Sequence, residues 1–153
     1  MKQQIRSLQK EDLDYLLSWR NDKKIRSHMI QSNKITKKEH YNWYNNCLID
    51  KNKLLFVYEE DNRPCGFVQF DKNENDKTAE WGFYKKPDAQ NGVGFRMGLC
   101  AIDTIKNMEN INKIVGKVLV SNNASINFHK KLGFKVNKTE SNINIICFEI
   151  LLI

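Results

Sequence analysis

The stretch Gln90-Asn91-Gly92-Val93-Gly94-Phe95 decides the fold. It lies between an alternating strand pattern at 78–84 and a helical pattern at 94–107. Glycines here let the backbone turn tightly and bring successive N–H groups close to an anion. The helix that follows adds unpaired donors and the positive end of its dipole. Together these predict a phosphate or diphosphate site. A nucleotide-triphosphate loop is excluded, because no Gly-Lys-Ser/Thr follows. A dinucleotide fingerprint does not fit either. Met97 occupies the third glycine's place, and the preceding strands read as hairpins rather than a βαβ unit.

Working towards the N-terminus, Ala79, Trp81 and Phe83 alternate with Glu80, Gly82 and Tyr84, so the two sets face opposite ways. Gly82 leaves a gap between a carboxylate and a phenol, which suits a backbone-lined pocket. Residues 54–60 and 65–70 read as two strands joined by the turn Asp61-Asn62-Arg63-Pro64. Thr36 and Glu39 form a capping box that starts a helix with His40, Trp43, Tyr44, Cys47 and Leu48 on its inner face. An earlier helix at 11–21 carries Leu13, Leu16 and Leu17 on one stripe, and Arg20 continues it. Arg20 is either a cation at the lip of a cleft or a side chain whose stem packs and whose head reaches water. His40 is either a packing residue or a ligand. A first strand is expected at 4–8.

Towards the C-terminus, residues 94–107 place Gly94, Gly98, Ala101, Ile102 and Ile105 on one side, small enough for close approach to a sheet. A buried strand follows at 114–120. A short helix at 125–132 is capped by Asn122 or Asn123 and stopped by Gly133, and strands fill 134–153. The order predicts an α+β, mixed α/β architecture with one central, mostly antiparallel sheet flanked by helices.

The 153 residues amount to one domain, 1–153, large enough to bury a core without disulfides. Apolar residues make up 41% and charged residues 28%, a globular composition that argues against disorder. Cys47, Cys65, Cys100 and Cys147 form no C-x-x-C pair, so no metal site or redox motif is expected. The polar N-terminus shows no secretory signal, and the apolar run near the C-terminus is too short to span a bilayer. The expected location is cytoplasmic, with no membrane partner. Net charge is +7, but no dense Lys/Arg cluster or basic tail points to nucleic acid, and a multi-phosphate ligand fits the charge at least as well. The apolar C-terminal strand is a candidate for pairing across a homodimer.

A second signal lies about thirty residues after the glycine loop, at Asn122-Asn123-Ala124-Ser125-Ile126-Asn127-Phe128-His129-Lys130-Lys131-Leu132-Gly133-Phe134. The two signals together resemble the GNAT superfamily of N-acetyltransferases, whose later stretch follows N-x-x-[AS]-x-x-x-Y-x-K-x-G-F. Asn122, Ser125, Lys131, Gly133 and Phe134 match that pattern. The resemblance implies that acetyl-CoA is the co-substrate. Its diphosphate would lie at Gln90, Asn91, Gly92, Val93, Gly94 and Phe95. Its pantetheine arm would run past Phe83, Tyr84, Asn122, Ser125, Phe128 and Lys131. Two positions depart from the family. Ala89 stands where a Gln or Arg is usual, with Gln90 one place late. His129 stands where the family has a tyrosine proposed to protonate the departing thiolate. An imidazolium could supply that proton, its ordinary pKa being near 6.5; the alternative is that His129 only packs against pantetheine.

Finer likeness concerns the acceptor. Trp19-Arg20-Asn21-Asp22, the segment 35–40 and Glu80-Trp81-Gly82-Phe83-Tyr84 look like the PseH branch of the superfamily. That branch acetylates the 4-amino group of UDP-4-amino-4,6-dideoxy-N-acetyl-β-L-altrosamine in pseudaminic acid synthesis, which feeds flagellin glycosylation. The likeness implies a nucleotide-sugar substrate near Arg20, His40 and Tyr84. Glu80 is the candidate base because it shares a strand face with Tyr84; its alternative is a surface carboxylate paired with a lysine. Competing activities are a protein N-terminal acetyltransferase of the ribosomal-protein-modifying type, and a non-catalytic CoA- or nucleic-acid-binding module.

Overall fold

The computed structural model describes residues 1–108 and 110–152. Strand β1 (Gln3–Ser7) leads through one 3-10 turn (Lys10–Asp12) into helix α1 (Leu13–Asn21). A short helix α2 (Lys23–Arg26) and helix α3 (Lys37–Leu48) follow. Three strands come next: β2 (Lys53–Glu60), β3 (Arg63–Asn73) and β4 (Thr78–Lys85). Helix α4 (Val93–Lys106), strand β5 (Lys113–Leu119), helix α5 (Asn123–Leu132), and strands β6 (Lys135–Val136) and β7 (Ile145–Leu151) complete the chain.

The strands form one sheet in the order β1-β2-β3-β4-β5-β7-β6. Every neighbouring pair is antiparallel except β4 with β5. That parallel ladder holds only Thr78↔Lys113, Ala79↔Ile114 and Glu80↔Val115. Beyond Glu80, β4 stays paired to β3 and β5 stays paired to β7, so the sheet opens into a V. This is the mixed α+β architecture that the order of patterns predicts.

Alternation along the strands builds a core on each face. Phe56, Tyr58, Val68, Phe70, Ala79 and Trp81 pack with Met97, Ala101 and Ile105 of α4. Val57 and Phe67 point the other way, onto Leu13, Leu16 and Trp19 of α1 and Tyr44 of α3. The larger aliphatic side chains and phenylalanines among them each contribute about 1.5–3 kcal/mol by leaving water, so the centre of β2 and β3 is anchored on both faces.

Several expectations shift. The hairpin turn is two residues, Asp61 and Asn62, with φ of 51° and 66°, a left-handed pair suited to the twist of the flanking strands. Pro64 already belongs to β3 and sits opposite Glu59, next to a register shift at Tyr58/Glu59 that accommodates its missing N–H. Thr36 and Glu39 do form the reciprocal capping box of α3. Leu48, placed on the inner face by spacing, is 64% exposed because α3 ends there. Gly98 meets Leu132 and Phe128 of α5 rather than the sheet.

Among the described residues, the C-terminal strand is an inner strand over residues 145–149. It lies between β5 and β6, and where β6 stops the segment 137–142 covers its edge. Asn137 N–H donates to the Cys147 carbonyl at 2.7 Å, and Cys147 N–H donates to Ser141 Oγ at 2.9 Å. Among the described residues, no helix is long and apolar enough to cross a membrane. Among them too, no group of three His, Cys, Asp or Glu side chains is placed to hold a metal ion.

Candidate active site

The glycine loop caps α4 at the open end of the V. Gly92 is the cap residue with φ of 92°, a left-handed conformation that costs other residues roughly 1–2 kcal/mol. Val93 N–H donates to the Gln90 carbonyl at 3.3 Å, and Arg96 N–H donates to the Gly92 carbonyl at 3.0 Å. Among the described residues, none accepts from the amides of Gly92, Gly94 and Phe95. Three free donors on the positive end of a 14-residue helix fit an anionic diphosphate. The Val93 side chain is buried, so that residue would act through its backbone; Asn91 is exposed and Gln90 contributes its carbonyl to the turn. The Lys131 ammonium sits 4.4 Å from the centre of the Phe95 ring, which joins the two coenzyme motifs across the α4–α5 contact.

The cleft of the V is lined by aromatic rings. Phe83 and Phe128 lie 5.0 Å apart, both partly buried. His129 is 2% exposed and stacks on Phe148 at 5.1 Å. Its Nε2 accepts from the Trp81 indole N–H at 3.1 Å, and its Nδ1 lies 2.8 Å from the Ser125 carbonyl. An indole N–H only donates and a carbonyl only accepts. The imidazole is therefore neutral, with its proton on Nδ1. Burial pushes its pKa below the usual value, and the Ser125 carbonyl only partly opposes that. In this arrangement Nε2 carries no proton, and the Nδ1 proton is donated to the Ser125 carbonyl rather than to a departing thiolate. The acid role expected of His129 does not fit this geometry, because protonating Nε2 would set two donors against each other.

Asn122 and Ser125 are brought together as a helix cap. The Asn122 side chain accepts from Ser125 N–H at 3.2 Å, and its Nδ2 donates to the His28 carbonyl at 3.3 Å. The second bond ties α5 to the loop that joins α2 and α3.

On the opposite face of the sheet, Arg20 is 8% exposed and the described residues place no carboxylate within ion-pairing distance. Its Nη2 donates to the Gln31 carbonyl at 2.7 Å and its Nη1 to the Asn33 carbonyl at 3.4 Å. Burial lowers its pKa. The guanidinium thus pins the 27–35 loop and keeps further N–H groups in hand. Tyr84 packs on Phe67 with ring centres 5.2 Å apart. Burial raises its pKa, an effect the Arg20 charge only partly offsets. His40 is 4% exposed, stacks on Trp43 at 5.3 Å and hydrogen-bonds the Leu13 carbonyl through Nε2 at 3.0 Å. Burial lowers its pKa, so it is a neutral post under the start of α1. Glu80 faces the same way as Tyr84, with its side chain 46% exposed and paired to Lys117 Nζ at 3.0 Å. That bond raises the lysine's pKa.

Two side-chain arrangements beside the site carry no sequence motif. One is the Trp81 indole that fixes the histidine. The other is Arg96, whose Nε and Nη2 grip the Glu60 carboxylate at 2.7 and 3.0 Å beside the glycine turn.

The family model for an acetyltransferase (GNAT) domain matches residues 4–135. The chain belongs to the GNAT acetyltransferases. As a member it is an acetyl-CoA-dependent N-acetyltransferase, and the free amides at Gly92, Gly94 and Phe95 fit that coenzyme. Among characterised relatives it is similar to acetyltransferase PseH of Campylobacter jejuni, 28% identical over 108 residues, which cover 65% of this chain and 67% of that protein. The fold is similar to spermidine N-acetyltransferase from Vibrio cholerae in complex with CoA and spermine. The TM-score is 0.88 at 22% identity, covering 98% of this chain and 95% of that one. It is also similar to C. jejuni PseH in complex with acetyl coenzyme A. There the TM-score is 0.77 at 19% identity, covering 98% and 99% of the two chains.

Proposed function

We propose that this N-acetyltransferase moves the acetyl group of acetyl-CoA to the 4-amino group of a UDP-linked amino sugar, in a pathway of the pseudaminic acid type. The observation that carries the reading is Arg20. A buried cation with no carboxylate beside it among the described residues would repel a polyamine and attract a phosphate-bearing acceptor. The sequence likeness to PseH supports the same choice. The chain's net charge of +7 also favours a negatively charged acceptor.

In this reading Arg20 uses its remaining N–H groups on the nucleotide, with His40 and Tyr84 forming the pocket around it. The acceptor enters from the Glu80–Tyr84 face of β4. Glu80 takes the amine proton directly or through water, with Lys117 Nζ 3.0 Å from its carboxylate. Main-chain N–H groups of β4 near Phe83 steady the oxyanion. The thiolate leaves without a protein acid. A thiolate is a competent leaving group and takes its proton from water. Aromatic walls at Phe83 and Phe128 keep bulk water off the thioester. The work would take place in the cytoplasm, where acetyl-CoA and nucleotide sugars are found.

A thiol-release assay with acetyl-CoA tests the proposal, with UDP-4-amino-4,6-dideoxy sugars, spermidine and N-terminal peptides as acceptors. Saturable turnover of the UDP sugar is the expected result. Turnover of spermidine or a peptide with none of the sugar would remove the reading. Glu80→Gln should slow the sugar reaction by roughly 10²- to 10⁴-fold, and an unchanged rate at every pH would remove Glu80 as base.

A further inference from the structure

We propose that Arg96, held by Glu60, is a positioning residue for the coenzyme diphosphate, buttressing the glycine turn whose amides receive it. The inference rests on the coenzyme site and is independent of which amine is acetylated.

Glu60 ends β2, and Arg96 lies in the first turn of α4. The carboxylate engages the guanidinium through Nε and Nη2, and the buried Tyr58 hydroxyl donates to the same carboxylate at 2.5 Å. Arg96 hydrogen bonds, aided by that of Tyr58, hold Glu60 below the usual carboxylate range. The bidentate grip fixes the guanidinium plane. One edge, Nη1, makes no hydrogen bond among the described residues. That edge lies against Gly92: a Cβ built there would sit 2.7 Å from Nη1. The guanidinium therefore stands beside the turn at the residue whose left-handed φ aims the neighbouring amides.

Ala89 bears on this directly. The family pattern has a Gln or Arg there, and the alanine side chain has no donor to offer. Arg96 brings a positive charge and rigidity to the same turn from the opposite side in sequence. A surface ion pair alone would be worth little. This one is braced by a fully buried tyrosine and lies beside a glycine in the left-handed conformation, so its consequence falls on the shape of the anion site.

The test is titration calorimetry with CoA and with pantetheine, which lacks the diphosphate. Wild type, Arg96→Ala, Arg96→Lys and Glu60→Gln are compared at a temperature well below each melting transition. Arg96→Ala should weaken CoA binding about tenfold or more, as expected for loss of a charge-assisted contact. It should leave pantetheine binding as in wild type. Arg96→Lys should recover part of the loss, and Glu60→Gln should fall between wild type and Arg96→Ala. Unchanged CoA affinity in Arg96→Ala would overturn the proposal, as would equal losses for CoA and pantetheine, which mark a general loosening of the cleft. Wild-type preference for CoA over pantetheine is read in the same experiment, so failure of the coenzyme site itself shows separately.

Discussion

The Trp81 indole N–H donates to His129 Nε2 across 3.1 Å, directly over Gly116 at the point where β4 and β5 part. This bond makes the histidine an acceptor where the family pattern expects a proton donor. His129→Gln tests the difference. Its amide can accept from the indole and donate to the Ser125 carbonyl. Loss of an essential acid would cost about 10²- to 10⁴-fold in kcat; this account predicts less than about tenfold. Steady-state kinetics of the two proteins decide it.

Gly116 explains how the pair fits. A Cβ there would lie 2.5 Å from His129 Nε2 and 2.8 Å from Trp81 Nε1. Gly116→Ala should therefore force both rings apart and destabilise the protein by about 1–3 kcal/mol. Urea unfolding measures it, and no change in midpoint would show that the rings do not close over this residue.

Stability should depend on pH through the two buried histidines. His129 and His40 both have pKa values lowered by burial. The native state thus binds fewer protons than the unfolded chain in the window below their ordinary value near 6.5. Their contribution is fully present above that value and is lost as pH falls beneath it, at up to about 1.4 kcal/mol per pH unit for each histidine. Denaturation midpoints between pH 7.5 and 5 should decline, and His129→Gln should flatten the slope.

Asp12 anchors the start of α1. It is 4% exposed and accepts from Arg6 Nη1 and Nη2 at 2.8 and 2.9 Å, from the Gln9 amide at 2.8 Å, and from the Tyr15 hydroxyl. Burial pushes its pKa up, but these bonds outweigh that and lower it. Asp12→Asn removes the charge and one acceptor oxygen. Arg6 stays partly wet and keeps Glu59 at 3.3 Å, so the cost should be about 1–3 kcal/mol. Thermal unfolding above pH 5 measures it, and the difference from wild type should shrink in acid, where Asp12 itself protonates.

Much of the fold was legible because local patterns and tertiary packing agree. Alternation at Ala79, Trp81 and Phe83, the Thr36–Glu39 box and the Asn122 cap are short-range signals, and each specifies its element without help from distant residues. The glycine loop was legible for the same reason. The roles of single polar side chains were not, because they depend on partners far along the chain. His129 matches a catalytic position in the motif, yet its chemistry is set by an indole 48 residues away. Arg20 continues an apolar stripe, yet only the fold shows that its head meets the carbonyls of Gln31 and Asn33. The Arg96–Glu60 bond spans 36 residues and has no periodicity to reveal it.

A crystal structure of the protein with CoA tests the central claim most directly. The account predicts the diphosphate on the main-chain amides of Gly92, Gly94 and Phe95, and the sulfur in the opening between β4 and β5, beside Phe83 and Phe128. A diphosphate bound elsewhere on the surface, with those amides left to water, would contradict it.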